Sequence, residues 1–382
     1  MSVKINHTNI FVTLFISYVL LALLKVVLGI DAVFYLLIPI FGGLMLLPMC
    51  IKKKIFILPT ILLLVTLLFG VTQYLARTSD TGGLFPLFML CYLTLFVFFN
   101  KYYSSFNFLW VSNCCYLIYL FVAISSYFLL SNYYRSISSE LIATRIFHGI
   151  EGTPASIDSF STFIFLINFL YNKEKNRWLM YFLTLATIFT AGATTPVLVF
   201  LVVFLSYLFL RLFNSFSLLV FLFFVVMFGL FYLSYSNSLA HTVILIATNG
   251  RNIIWDLQIA NLGLFNIVLG DVASSMVNIP WSSGTTINPH NAFLFIILRF
   301  GFIFFVLFVL LLVFKGKGRE RNKQLLLMAF LAAGISNSNL FYIANPFYFY
   351  MICFCLSGSK NIQTGLLSCR TKSQPNAKVV FN

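Results

Sequence analysis

Apolar positions in this 382-residue chain do not alternate with polar ones; they come in long runs broken by short polar segments. A helix that crosses hydrocarbon needs about 20 apolar residues. Twelve stretches qualify: 8–28, 32–50, 55–75, 84–99, 106–130, 158–171, 178–193, 195–213, 215–235, 291–314, 325–343 and 346–358. The pattern predicts an all-α, polytopic transmembrane bundle of about twelve spans, forming one integral membrane domain over 1–382. The sixth and twelfth stretches are short. An even number of spans puts both termini on one side. The first run, from Asn9 to about Val27, is too long for a signal-peptide core and lacks a small-residue cleavage pattern, so it reads as a retained span.

The connections are uneven. Two are long, 131–157 and 236–290, and a polar tail covers 358–382. Long connections with no structural duty of their own usually carry function. In the second, Asn249-Gly250 is a turn signal, and Arg251 to Asn261 reads as a short helix with Ile254, Leu257 and Asn261 on one side. Gly263 is its expected stop, and Leu264 to Leu269 is a further apolar stretch closed by Gly270-Asp271. Trp255 and Trp281 suit a segment lying at a membrane–water interface, which predicts a loop folded back onto the bilayer rather than a free domain.

Composition agrees with the pattern. Hydrophobic residues make up 61% of the chain and charged residues 9%, too few charges for a soluble globule of this size to cover its outside. A soluble enzyme, a disordered tail protein and a simple nucleic-acid binder are excluded. The formal net charge of +15 comes from short basic clusters between the apolar runs. With the N-terminus in the cytoplasm, 18 of the 24 Lys and Arg fall on the cytoplasmic side, so the positive-inside rule selects that orientation. Both long loops then lie outside, together with most of the acids. The 7 Cys show no CxxC pair and none sits in a long polar loop, so neither a disulfide framework nor a thiolate zinc site is expected. No internal repeat is visible, and the uneven loop placement argues against the matched halves of secondary transporters.

Chemistry-bearing residues are sparse on the outer side. His290 stands in Asn288-Pro289-His290-Asn291-Ala292-Phe293-Leu294, where the second long loop re-enters a span. One reading is a helix start, with Pro in its first turn and a polar rim. The other is a general base, since an imidazole titrates near neutral pH and accepts a hydroxyl proton. His241 has no distinctive sequence neighbours and reads as structural or neutral in role. Arg145 and Arg251 lie one in each long loop, close to Gly149, Gly152 and Gly250. Guanidinium groups match phosphate oxygens bidentately, and glycine lets the backbone approach a bulky anion. A lipid headgroup or a carboxylate is the alternative partner of either arginine. Arg299 lies inside the tenth span, which makes it a functional-site candidate; Asp158 is a candidate partner. The 190–196 turn between two spans reads as helix punctuation. No Walker loop, HExxH pair or nucleophile elbow is present.

Together these residues resemble the O-antigen polymerase / O-antigen ligase superfamily of bacterial inner-membrane glycosyltransferases. The resemblance lies in the many-span layout with a large late periplasmic loop, and in Gly250-Arg251 followed by Trp255 and Gly270. It also lies in Pro289-His290-Asn291-Ala292-Phe293-Leu294 with Gly301 beyond, and in Arg145 ahead of Gly149, Gly152, Thr153 and Pro154. Its strongest part covers 250–301. Members of the superfamily often carry a basic residue in the turn that corresponds to 190–196, and this chain has none there.

The resemblance implies a metal-independent, inverting glycosyl transfer at the periplasmic face, with no cofactor. The implied donor is an oligosaccharide on undecaprenyl pyrophosphate. Arg251 and His290 are then the expected catalytic residues, and Arg145, Gly250, Asn291 and Arg299 the expected substrate-binding ones. Expected partners are the lipid-linked oligosaccharide, membrane lipids, a chain-length regulator and a flippase, and not nucleic acid. A polymerase of surface-polysaccharide repeat units is preferred over a ligase that transfers glycan to lipid A-core, because the chain is strongly Phe-rich and its His-Asn span mouth is compact. A flippase or exporter of lipid-linked sugars is the alternative of another class; it predicts charges lining several spans and short loops on both sides.

Overall fold

The computed structural model describes residues 15–16, 19–20, 108–129, 154–173, 177–191, 194–236, 241–242, 251–260, 267–268, 277–278, 286–287, 291–336 and 346–356. Among these the fold is all-α apart from one two-residue strand pairing. The long helices are α1 (Phe108–Leu129), α2 (Pro154–Tyr171), α3 (Arg177–Ala191), α4 (Thr195–Phe213) and α5 (Phe216–Ser236). They are followed by the short α6 (Arg251–Ala260), then α7 (Ala292–Gly316), α8 (Arg321–Ser336) and α9 (Pro346–Leu356). Strands β1 (Val277–Asn278) and β2 (Thr286–Ile287) pair antiparallel between α6 and α7.

Each of the last eight expected spans corresponds to a helix. The largest differences in where they start are at α2 and α8, which begin four residues before the apolar runs; residues 337–343 of the eleventh run lie outside the described residues. Helix starts tolerate polar residues because the first turn exposes its N–H groups. Among the described residues three helices are long and apolar enough to cross a membrane, with spans Phe108–Ser125, Thr195–Phe213 and Phe216–Leu233. The first four expected spans lie outside the described residues, except Phe15, Ile16, Val19 and Leu20. Phe15 and Val19 are buried, with Phe15 against Phe160 of α2, while Ile16 and Leu20 are exposed. That split is the i, i+4 pattern of a helix with one packed face.

The centre of the bundle is α8, which packs against α2, α4, α7 and α9. Every residue from Leu325 to Ala333 is buried. A helix that is apolar all round belongs inside, and Ala329, Ala332, Ala333 and Gly334 let neighbouring backbones come close. At Gly334 an added Cβ would lie 3.0 Å from Phe293 Cζ, so this glycine is what admits the first turn of α7. By contrast α4 and α5 expose Leu201, Phe204, Leu212, Phe221 and Val226. An apolar surface of that extent suits lipid, not water.

Two polar layers join α1, α2 and α3. The Tyr116 hydroxyl lies 3.2 Å from Ser161 Oγ and donates to Thr187 Oγ1 at 3.0 Å. Nearer one end, Asn168 donates to Asn113 at 2.7 Å and accepts from Asn172 at 2.9 Å. Such hydrogen bonds fix helix register in a setting where apolar packing alone distinguishes one rotation poorly from another.

Successive long helices run antiparallel, and their contacts define two ends. At one end Asn322 of α8 donates to Leu170 O of α2, Gly316 of α7 lies against Phe216 of α5, and the Lys323 ammonium sits 4.5 Å from the Phe354 ring of α9. Phe108, at the start of α1, stacks on that ring at 3.7 Å. Lys173, Arg177, Arg211, Lys315, Lys317, Arg319 and Arg321 all flank helix termini at this end. The opposite end carries the C-terminus of α5, all of α6 and the start of α7, joined by Phe231, Trp255 and Leu294.

A candidate functional site at the head of α7

Helix α6 has 10 residues, too few to persist alone in water. Its anchor is Trp255, which is 3% exposed and packs with Leu294 and Leu298 of α7. Phe231 of α5 meets the indole edge-on at 4.9 Å. The sequence suggested an interfacial indole; Trp255 is buried between helices at this end of the bundle, because α5 and α7 together leave an apolar slot at their ends. Arg251 is the first residue of α6, one turn ahead of Trp255. Leu294 in turn lies one turn past His290. The docked indole therefore ties the Arg251 turn to the first two turns of α7. Strand β1 rests on α6, which is itself docked on α7 through Trp255, so these parts of the 236–290 connection fold back on the bundle.

The start of α7 is built by Asn291. Its backbone is extended, φ −137° and ψ 119°, and its Oδ1 accepts from the N–H groups of Phe293 and Leu294, both at 3.0 Å. This is an N-cap, so α7 begins at Ala292, and Pro289 precedes the helix rather than opening its first turn as expected. The residue is fully buried, and its Nδ2 finds no acceptor among the described residues. Asn291 thus presents a buried amide donor next to the positive end of a helix, a combination suited to an oxygen-rich or anionic group.

Gly301 breaks α7. Its φ of 85° and ψ of 163° divide the helix into a nine-residue head, Ala292 to Phe300, and a longer shaft. A side chain is strained at that φ, so glycine is required here. Arg299 belongs to the last turn of the head; its side chain lies outside the described residues, and so does any pairing with Asp158. Asp158 itself is buried near the start of α2. Arg145, Gly250 and His290 lie outside the described residues. The connection that carries Arg145 leaves α1 and enters α2 at the same end of the bundle as α6.

The sequence missed one pair. His241 Nδ1 lies 3.7 Å from Asp256 Oδ2, with the two side chains 35% and 33% exposed. Partial burial pushes the Asp256 carboxyl up from the usual carboxylate range, and His241 beside it pulls it back down. Fifteen residues separate the two, and no local spacing announces the contact. Asp256 is adjacent to Trp255, so docking the indole is what brings the carboxylate to His241. In the 190–196 turn, Thr194 is the N-cap of α4 and Pro196 sits in its first turn, as helix punctuation requires.

No family model matches the chain, and no curated protein or solved structure matches it either.

Proposed function

We propose that the chain is an O-antigen polymerase, joining undecaprenyl-pyrophosphate-linked oligosaccharide repeat units at the periplasmic face of the bacterial inner membrane. Twelve spans, both termini in the cytoplasm and a periplasmic 236–290 loop belong to this reading. It is supported by the collection of basic residues at one end of the bundle, which is the cytoplasmic end by the positive-inside rule. The observation that carries it is the docking of Trp255 on Leu294 and Leu298 at the opposite end. That contact keeps the Arg251 turn beside the helix head that follows His290-Asn291.

The chemistry follows from the donor. A lipid pyrophosphate enters sideways from the bilayer, so its site belongs at the rim of the membrane. An acceptor hydroxyl attacks the anomeric carbon from the face opposite the pyrophosphate. The C1–O bond breaks, its electron pair leaves on the pyrophosphate, and a new glycosidic bond forms with inversion. His290 takes the hydroxyl proton. Arg251 and Arg145 hold the pyrophosphate as its charge grows, an effect strengthened by partial exclusion of water. Gly250 allows close approach of the backbone, Asn291 donates its amide proton to a substrate oxygen, and Arg299 supports the site from within the span. The linkage to pyrophosphate already activates the sugar, so no metal or nucleotide enters the scheme.

A deletion strain tests the reading. Loss of long chains with a single repeat unit retained on the core is the polymerase result. Loss of every repeat would make the protein a ligase, and unchanged glycan would remove it from this pathway. With purified protein and lipid-linked repeat units, His290→Ala abolishes extension. Arg251→Lys slows it about 10- to 100-fold despite keeping the charge, the scale expected for a lost charge-assisted hydrogen bond. Wild-type rates in both variants would refute the assignment.

A further inference from the structure

A single anchor sets where a helix touches its neighbour but leaves it free to turn about the contact. Among the described residues Trp255 is the buried side chain that anchors α6 on α5 and α7, and β1 rests on the same helix. The next residue, Asp256, points about 100° further round the helix axis, given 3.6 residues per turn. It meets His241, on the chain that leaves α5, across 3.7 Å. This separation is within ion-pair reach and beyond a direct hydrogen bond. We propose that His241 and Asp256 are a positioning pair, a clamp that fixes the rotation of α6 and so holds Arg251 beside the head of α7.

The clamp rests on the reading of Arg251 as a pyrophosphate-binding residue. Two features make it more than a surface contact. Both partners are two-thirds buried, so the imidazole and the carboxylate interact through less water than a fully exposed pair. Asp256 is also the sole acid of α6, five residues or about 7.5 Å along the axis from Arg251. That distance is inside the screening length of physiological salt, so an uncompensated carboxylate there would repel an anionic donor. When protonated, His241 offsets that charge, and in either form it lies against the carboxylate.

The test uses the full-length chain in lipid nanodiscs. Amide hydrogen exchange is followed over 251–260 in wild type, His241→Gln, Asp256→Asn and the exchanged double variant His241→Asp/Asp256→His. Each single variant should raise exchange in α6 about two- to fivefold, the scale of a partly exposed ion pair, and the double variant should restore protection. Extension of a lipid-linked repeat unit should fall in the singles and recover in the double. A clamp is refuted if exchange is unchanged in both singles, or if the double variant is no better than they are. If exchange follows the expected pattern while wild type extends no glycan, the polymerase reading fails and the clamp stands. If extension proceeds at the wild-type rate in every variant with exchange unaltered, the clamp fails and the polymerase reading stands.

Discussion

Asn291 has two jobs that one amide can divide between its ends. Its oxygen caps α7 through Phe293 and Leu294, while its nitrogen is a buried donor with no acceptor among the described residues. A buried donor left unmatched costs about 1–3 kcal/mol, a cost that is understandable where a ligand oxygen completes the bond. Substitution separates the two jobs. Asn291→Asp keeps both accepted hydrogen bonds and places a negative charge where the helix dipole favours it. The cap is therefore kept, against the cost of burying a carboxylate, whereas Asn291→Ala loses the cap and about 1 kcal/mol of stability. Both variants should lose glycan extension, because both lack the donor. Full activity in the aspartate variant would show that the amide nitrogen does not touch substrate.

At the scale of elements, the break at Gly301 matters most. It sets the nine-residue head of α7 at its own angle, and that head carries Ala292, Phe293, Leu294 and Leu298 into the contacts with α8 and α6. An L-residue at φ 85° is strained by roughly 1–2 kcal/mol. Gly301→Ala should lower unfolding stability by about that amount and reduce extension further than the stability loss explains, since a straightened helix moves its head off Trp255. Unfolding measurements beside extension assays would separate the two effects; a variant equal to wild type in both would mean that the break has no part in the site. Helix α6 stands at the other extreme. Ten residues with a single buried indole form an element whose existence depends on its neighbours.

At the scale of the whole molecule, α8 couples the core to the site. Gly334 admits the head of α7, and Phe293 and Ala292 fill the space that a side chain there would need. Gly334→Val should displace Phe293 and with it the cap at Asn291. Extension should fall although no residue that touches substrate is altered, and a wild-type rate would show that the head tolerates the displacement. Under the proposed orientation the polarity of the bundle is testable too. In a background without the native cysteines, Lys317→Cys should react only with a membrane-permeant maleimide, and Thr242→Cys also with an impermeant one applied from the periplasm. Labelling of residue 317 by the impermeant reagent would invert the topology.

Much of this molecule could be read along the chain. Lipid requires each spanning segment to satisfy its backbone internally, so an apolar run of sufficient length is already a helix. For that reason the runs 106–130, 195–213 and 215–235 match α1, α4 and α5 to within two residues. The start of α7 beside His290 was legible for a related reason: Asn291 caps it through contacts only two and three residues away. The burial of Trp255, the approach of α7 to Gly334 and the meeting of His241 with Asp256 were not legible. Each depends on residues far apart in sequence that come together only when whole helices pack. Local pattern decides which segments are helices; shape and volume between helices decide which of their side chains meet.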